Sequence, residues 1–117
     1  LQAGSGVGGT ARYTKIGRIV HFSVYFFNET TSTQASGNLV MNGLPYANAG
    51  NSSIVSGTAT YNVDISSENA PPIFQTSGSS LYGLTIRDNN TWADTSASIL
   101  PNGTAIYFYI TGTYEAT

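Results

Sequence analysis

The sequence predicts an all-β fold, an antiparallel β-sandwich of jelly-roll type, and three observations carry the prediction. Apolar and polar residues alternate with a period of two over short runs, glycine, proline and asparagine interrupt those runs at short intervals, and no window of helical period carries caps at both ends. About seven or eight short strands at this spacing suit two packed sheets better than one open sheet. At 117 residues the chain is long enough to bury one core but not two. Residues 1–10, with four glycines, read as a flexible lead-in from a preceding segment, and residues 11–117 as a single domain.

Pairing is expected to begin near Ala11. Thr14-Lys15-Ile16-Gly17 reads as a tight reversal in which Gly17 supplies a positive φ. From Arg18 to Asn28 both alternating sets are apolar or aromatic: Val20, Phe22, Val24 and Phe26 on one face, Ile19, His21, Ser23, Tyr25 and Phe27 on the other. One face belongs to the core, and the second is too apolar for water, so a further layer or another subunit must cover it. Glu29 to Gly37 is a polar loop. Asn38 to Leu44 returns as a strand ending in Asn42-Gly43-Leu44-Pro45, with Leu44 pointing inward and proline stopping the ladder.

Ser53 to Ile65 reads as one long or bent strand with a bulge at Gly57. After the Pro71-Pro72 break come strands at Ile73–Thr76 and Leu81–Arg87, then a polar turn from Asp88 to Ala97. In the closing strand Ile106, Phe108 and Ile110 face one way, and Tyr107, Tyr109 and Thr111 the other.

Composition excludes several function classes. Charged residues make up 9% of the chain, against roughly 25% in ordinary soluble domains. Serine, threonine, asparagine and glycine together supply 52 residues, so the surface is neutral and rich in hydroxyls and amides. A net charge of −2 with four basic residues gives no field to gather nucleic acid, although Arg12, Lys15 and Arg18 lie close together. No apolar run approaches the roughly 18 residues that span a bilayer, which speaks against membrane insertion. Without cysteine there is no disulfide framework and no thiolate chemistry. The start at Leu1 suggests a fragment of a longer polypeptide.

Three short motifs add a resemblance. Arg12-Tyr13-Thr14-Lys15-Ile16-Gly17 leading into Val20 and Phe22, then Asn42-Gly43-Leu44-Pro45-Tyr46, then Thr111-Gly112-Thr113-Tyr114, occur in this order across about 100 residues. Together they resemble the C-terminal receptor-binding domains of tail fibres and tailspikes of tailed bacteriophages. The resemblance implies a β-sandwich that assembles as a parallel homotrimer at the tip of the virion's fibre or spike. It implies attachment, outside the bacterial cell, to surface glycan such as lipopolysaccharide or capsule. Tyr46 stands where such domains more often carry phenylalanine, and its hydroxyl then needs a partner or solvent.

Catalytic constellations are sparse, and the chain is read as a binding protein and not an enzyme. Asp88 and Asp94, in one turn, are the carboxylate pair considered for glycoside hydrolysis, but the same residues form turns through side-chain to backbone bonds. His21 lies within a strand; three copies could converge on a threefold axis, or each could simply be hydrogen-bonded within its sheet. The segment from Asp88 to Asp94 places oxygens at alternate positions as calcium loops do, yet lacks the mid-loop glycine and the final glutamate. No metal and no cofactor is expected. Four Asn-X-Ser/Thr matches, at Asn28, Asn51, Asn89 and Asn102, follow from a composition so rich in these residues.

A sugar site needs a flat aromatic face with amides or carboxylates at fixed angles beside it. Trp92, the single tryptophan, sits among Asp88, Asn89, Asn90 and Asp94, and this cluster is the leading carbohydrate candidate, against the alternative that Trp92 plugs a local core under its loop. Tyr46 is added to it, and Tyr61, Tyr82, Tyr107 and Tyr109 are secondary. Tyr25, Phe27, Tyr107 and Tyr109 are the candidates for a trimer interface. Three functions fit: a trimeric glycan-binding tip, a trimerisation and folding clamp with no receptor site of its own, or a monomeric carbohydrate-binding module of a secreted hydrolase.

Overall fold

Two antiparallel sheets meet on one apolar cluster, and the alternation in the two longest strands decides which residues fill it. The computed structural model describes residues 8–29, 36–50, 57–66, 70–88, 91–101 and 105–117, with the backbone alone at 27–29. The strands are β1 (Gly8–Ile16), β2 (Ile19–Glu29), β3 (Val40–Asn42), β4 (Gly57–Tyr61), β5 (Ile73–Ser77), β6 (Ser80–Thr85), β7 (Ala93–Asp94) and β8 (Ile106–Glu115). A single 3-10 turn spans Ala97–Ile99. The first sheet has the order β1-β2-β8-β4; the second has β3-β6-β5, with β7 also on β6.

Val20, Phe22, Val24 and Phe26 of β2, with Ile106, Phe108, Ile110 and Tyr114 of β8, turn inward onto Leu39, Leu44, Phe74, Leu81 and Ile99. Phe74 of the second sheet meets Phe108 of the first edge to face, with centroids 6.2 Å apart at 82°. Each such side chain contributes about 1.5–3 kcal/mol relative to exposure, so this cluster is the main source of stability. Leu44 is buried, as its place in the turn predicted.

Both tight hairpins use the same device. Gly17 at φ 59° and Gly78 at φ 55° open the two-residue loops Gly17-Arg18 and Gly78-Ser79. Positive φ at the first loop residue suits a type II′ turn, whose twist matches that of the flanking strands. A Cβ on either glycine would meet nothing within 4 Å, so conformation and not space demands glycine there.

Several boundaries differ from expectation. Pairing begins at Gly8 and not near Ala11, because Gly8, Gly9 and Thr10 continue the ladder opposite Phe27, Phe26 and Tyr25. β4 ends at Tyr61 and does not reach Ile65, since Asn62 takes φ 58° and turns the chain out of the sheet. Residues 53–56 of that expected strand lie outside the described residues. Gly57 pairs in register with Thr111 and marks no bulge; the irregularity of this sheet lies in β2, between Phe26 and Glu29. β3 and β6 are shorter than expected.

The segment from Asp88 to Ala97 is more than a polar turn. It contains β7 and a buried thread in which Thr95 is fully covered. The Thr95 and Thr85 hydroxyls lie 2.9 Å apart, so each buried oxygen has a partner. Around them three chain segments close a ring of backbone bonds: Gly83 N–H to Leu39 O at 2.8 Å, Leu39 N–H to Thr95 O at 2.8 Å, and Thr95 N–H to Gly83 O at 2.9 Å. A Cβ on Gly83 would lie 3.1 Å from Leu39 Cδ2 and 3.3 Å from Thr95 Cβ.

Candidate functional site

The leading sequence candidates separate into two places. Trp92 is 62% exposed and is therefore no core plug. Asp94, two residues on, is exposed on β7 and accepts a bond from Asn38 Nδ2 at 3.2 Å. Asp88 is exposed at the other end of the same segment, and Asn90 lies outside the described residues. The patch sits where β6 ends, since Asp94 pairs with Leu84 and Ala93 with Thr85.

Tyr46 does not join it. The turn before it is tied to the start of β6, where the Gly43 and Leu44 N–H groups both donate to Ser79 O at 3.0 Å. Six residues of extended chain, about 17 Å, separate the two ends. The physical reason is register: Asn42 pairs with Ser80, so the turn that follows β3 must lie beyond the first residue of β6.

At its own end Tyr46 belongs to a cluster that sequence reasoning missed. Tyr13 meets the Tyr46 ring edge on, with centroids 5.8 Å apart at 81°. A hydrogen bond to the Tyr46 hydroxyl, with the neighbouring charge and slight burial, raises the Tyr13 pKa. Lys15 is exposed, and its Nζ donates to Gly17 O at 2.7 Å and lies 5.1 Å from the Tyr46 ring centroid. The signal was present in the spacing, since Tyr13 and Lys15 are two apart on one strand and so share a face. Under β1 a cleft of about 180 Å³ runs between Ala11, Tyr13, Phe22 and the Gly43-Leu44-Pro45 turn.

The outward face of the first sheet gathers most of the residues expected at a subunit interface. Tyr25 and Tyr109 face each other across β2 and β8 and stack, with centroids 4.1 Å apart and planes at 16°. A hydrogen bond to the Tyr109 hydroxyl, reinforced by partial desolvation, pushes the Tyr25 pKa up to about 12. Tyr107 lies farther along β8 and meets Tyr61 of β4 at 5.4 Å and 67°. The Phe27 side chain lies outside the described residues.

Two charged groups resolve differently. Arg18 pairs with Glu115 at 3.2 Å and donates from Nε to Ala116 O at 3.3 Å. Arg12 has no ion pair among the described residues. His21 Nδ1 lies 2.9 Å from Thr113 Oγ1 on the outward face, a hydrogen-bonded strand histidine. Among the described residues no three His, Cys, Asp or Glu side chains gather where they could hold a metal ion. The described surface carries exposed aromatic rings, hydroxyls and the guanidinium groups of Arg12, Arg18 and Arg87.

Comparison with protein families, curated proteins and solved structures finds no match to this chain.

Proposed function

We propose that the chain is a tip domain of a phage tail fibre or tailspike that attaches to bacterial surface polysaccharide, lipopolysaccharide or capsule, as a parallel homotrimer of jelly-roll-type sandwiches. It acts by binding and not by catalysis. The observation that carries the reading is the exposure of Trp92, with Asp88 and Asp94, close to it in sequence, exposed as well. A large ring left in water is available to cover the CH face of a sugar, while the carboxylates accept from its hydroxyls.

A shallow site for a neutral sugar binds weakly, and a millimolar site is worth only about 4 kcal/mol. Three linked copies raise avidity by roughly 10² to 10⁴ without new contacts, so assembly is part of the binding mechanism. The Tyr61 and Tyr107 pair at the β4 side of the first sheet supplies an aromatic seam for that assembly. The same outward tyrosines favour a second reading, a trimerisation clamp whose receptor site lies elsewhere.

Mass in solution and adsorption to intact bacterial cells test both. A trimer that adsorbs, and whose Trp92→Ala variant adsorbs less, is the expected result. A monomer sinks the assembly claim, unchanged adsorption by the variant sinks the Trp92 site, and a trimer that adsorbs to no strain favours the clamp.

A further inference from the structure

We propose that the groove on the outward face of the first sheet, between β1, β2 and β8, binds a carboxylate-bearing sugar, with the stacked Tyr25 and Tyr109 rings as its platform and Arg12 as its anion contact. Pairing register builds it. Thr10, Tyr25 and Tyr109 form one cross-strand row, and Arg12, Ser23 and Thr111 form the next. These six residues border a hollow of about 330 Å³. Successive rows on one face lie about 7 Å apart and neighbouring strands about 5 Å, so the hollow has the footprint of one or two pyranose rings.

Each wall supplies a different recognition group. Tyr109 is 49% exposed, and the near-parallel stack on Tyr25 holds its ring in place. A hydrogen bond joins the Tyr25 and Tyr109 hydroxyls and ties the two rings together at their outer ends. Thr10, Ser23 and Thr111 add hydroxyls that both donate and accept. Arg12 brings the single charge in the lining, unmatched by an ion pair among the described residues, whereas Arg18, in the turn between β1 and β2, has Glu115. A guanidinium fork matches a carboxylate in bidentate fashion, so charge complementarity selects an acidic sugar over a neutral one.

The inference does not need the phage reading. It assigns Tyr25 and Tyr109 to a ligand instead of a subunit seam, and leaves the seam to Tyr61 and Tyr107. The test is titration of the 117-residue chain with methyl glucuronide, methyl glucoside and inorganic phosphate, followed by chemical shifts of the tyrosine rings and the arginine Nε groups. Glucuronide is expected to shift Tyr109 and Arg12 and to bind about tenfold tighter than glucoside. Arg12→Gln should erase that preference and Tyr109→Ala should abolish both sugars while mass in solution stays unchanged. The proposal is overturned if neither sugar moves these residues, if Arg12→Gln keeps the preference, if phosphate binds as tightly as glucuronide, or if Tyr109→Ala dissociates an assembly.

Discussion

The Tyr114 hydroxyl serves both backbone groups of Tyr46, donating to its carbonyl oxygen at 2.8 Å and accepting from its N–H at 3.3 Å. One phenol from the core face of β8 thereby pins the turn after β3, although 68 residues separate the two in sequence. Its ring packs on Phe22 at 5.9 Å. Tyr114→Phe keeps the packing and strands both backbone groups, so it should cost about 1–3 kcal/mol. Tyr114→Ala loses the ring as well and should cost about 3–5 kcal/mol. Urea unfolding of the two variants against the parent checks the gap between them.

Two glycines should respond oppositely to a methyl group. Gly83→Ala drives a Cβ against Leu39 and Thr95 inside a closed ring of backbone bonds, where neither can withdraw, and should cost about 1–3 kcal/mol. In Gly57→Ala the close contact is a single atom, the Thr111 hydroxyl at 2.9 Å, which rotation about one Thr111 side-chain bond relieves, and alanine reduces unfolded-chain entropy. That variant should melt within a few degrees of the parent while Gly83→Ala melts well below it.

Alkaline titration should report the Tyr25 and Tyr109 pair. The folded pKa of Tyr25 is raised to about 12, above the ordinary value near 10, so the folded state holds this proton more tightly. The linked stability is complete below pH 10 and is lost as pH rises toward 12. Tyr13 and Tyr114 are raised as well, so absorbance at the phenolate band should show a group of late-ionising tyrosines, and Tyr109→Phe should bring the Tyr25 ionisation within it down. An unchanged late step in the variant would assign it to another tyrosine.

Asp64 should titrate at the acid end. Hydrogen bonds from the Ser66 hydroxyl and from the Ser66 N–H, the latter at 3.0 Å, lower its pKa. The carboxylate's contribution is therefore present above the ordinary value near 3.9 and fades as pH falls through the lowered one. A carboxyl-carbon titration followed by NMR should place the Asp64 midpoint below the ordinary value near 3.9, and Ser66→Ala should move it upward.

What could be read from the residues was what depends on period two. The inward set of β2 and β8 is that of the alternation, and Gly17 takes the positive φ its turn requires. What could not be read depends on long-range partners. Gly8 to Thr10 resemble a loose leader until β2 is set opposite them, and Thr95 resembles a loop residue until Thr85 supplies its hydroxyl partner. For the candidate site, the exposure of Trp92 could be weighed but not decided, while the separation of Tyr46 from it follows from a register no single stretch contains. The Arg12 groove escaped notice because its eight lining residues come from three strands.

The place of β8 between β2 and β4 bears on how the molecule is made. During synthesis β1 and β2 can close their hairpin early, but the other edge of β2 stays unpaired until residues 106–115 have left the ribosome. A nascent chain paused before that point carries an unpaired strand edge, which invites mispairing with neighbouring nascent chains. Folding is thereby a late event governed by capture of one strand, and translation speed between Tyr61 and Ile106 sets how long the half-built sheet waits.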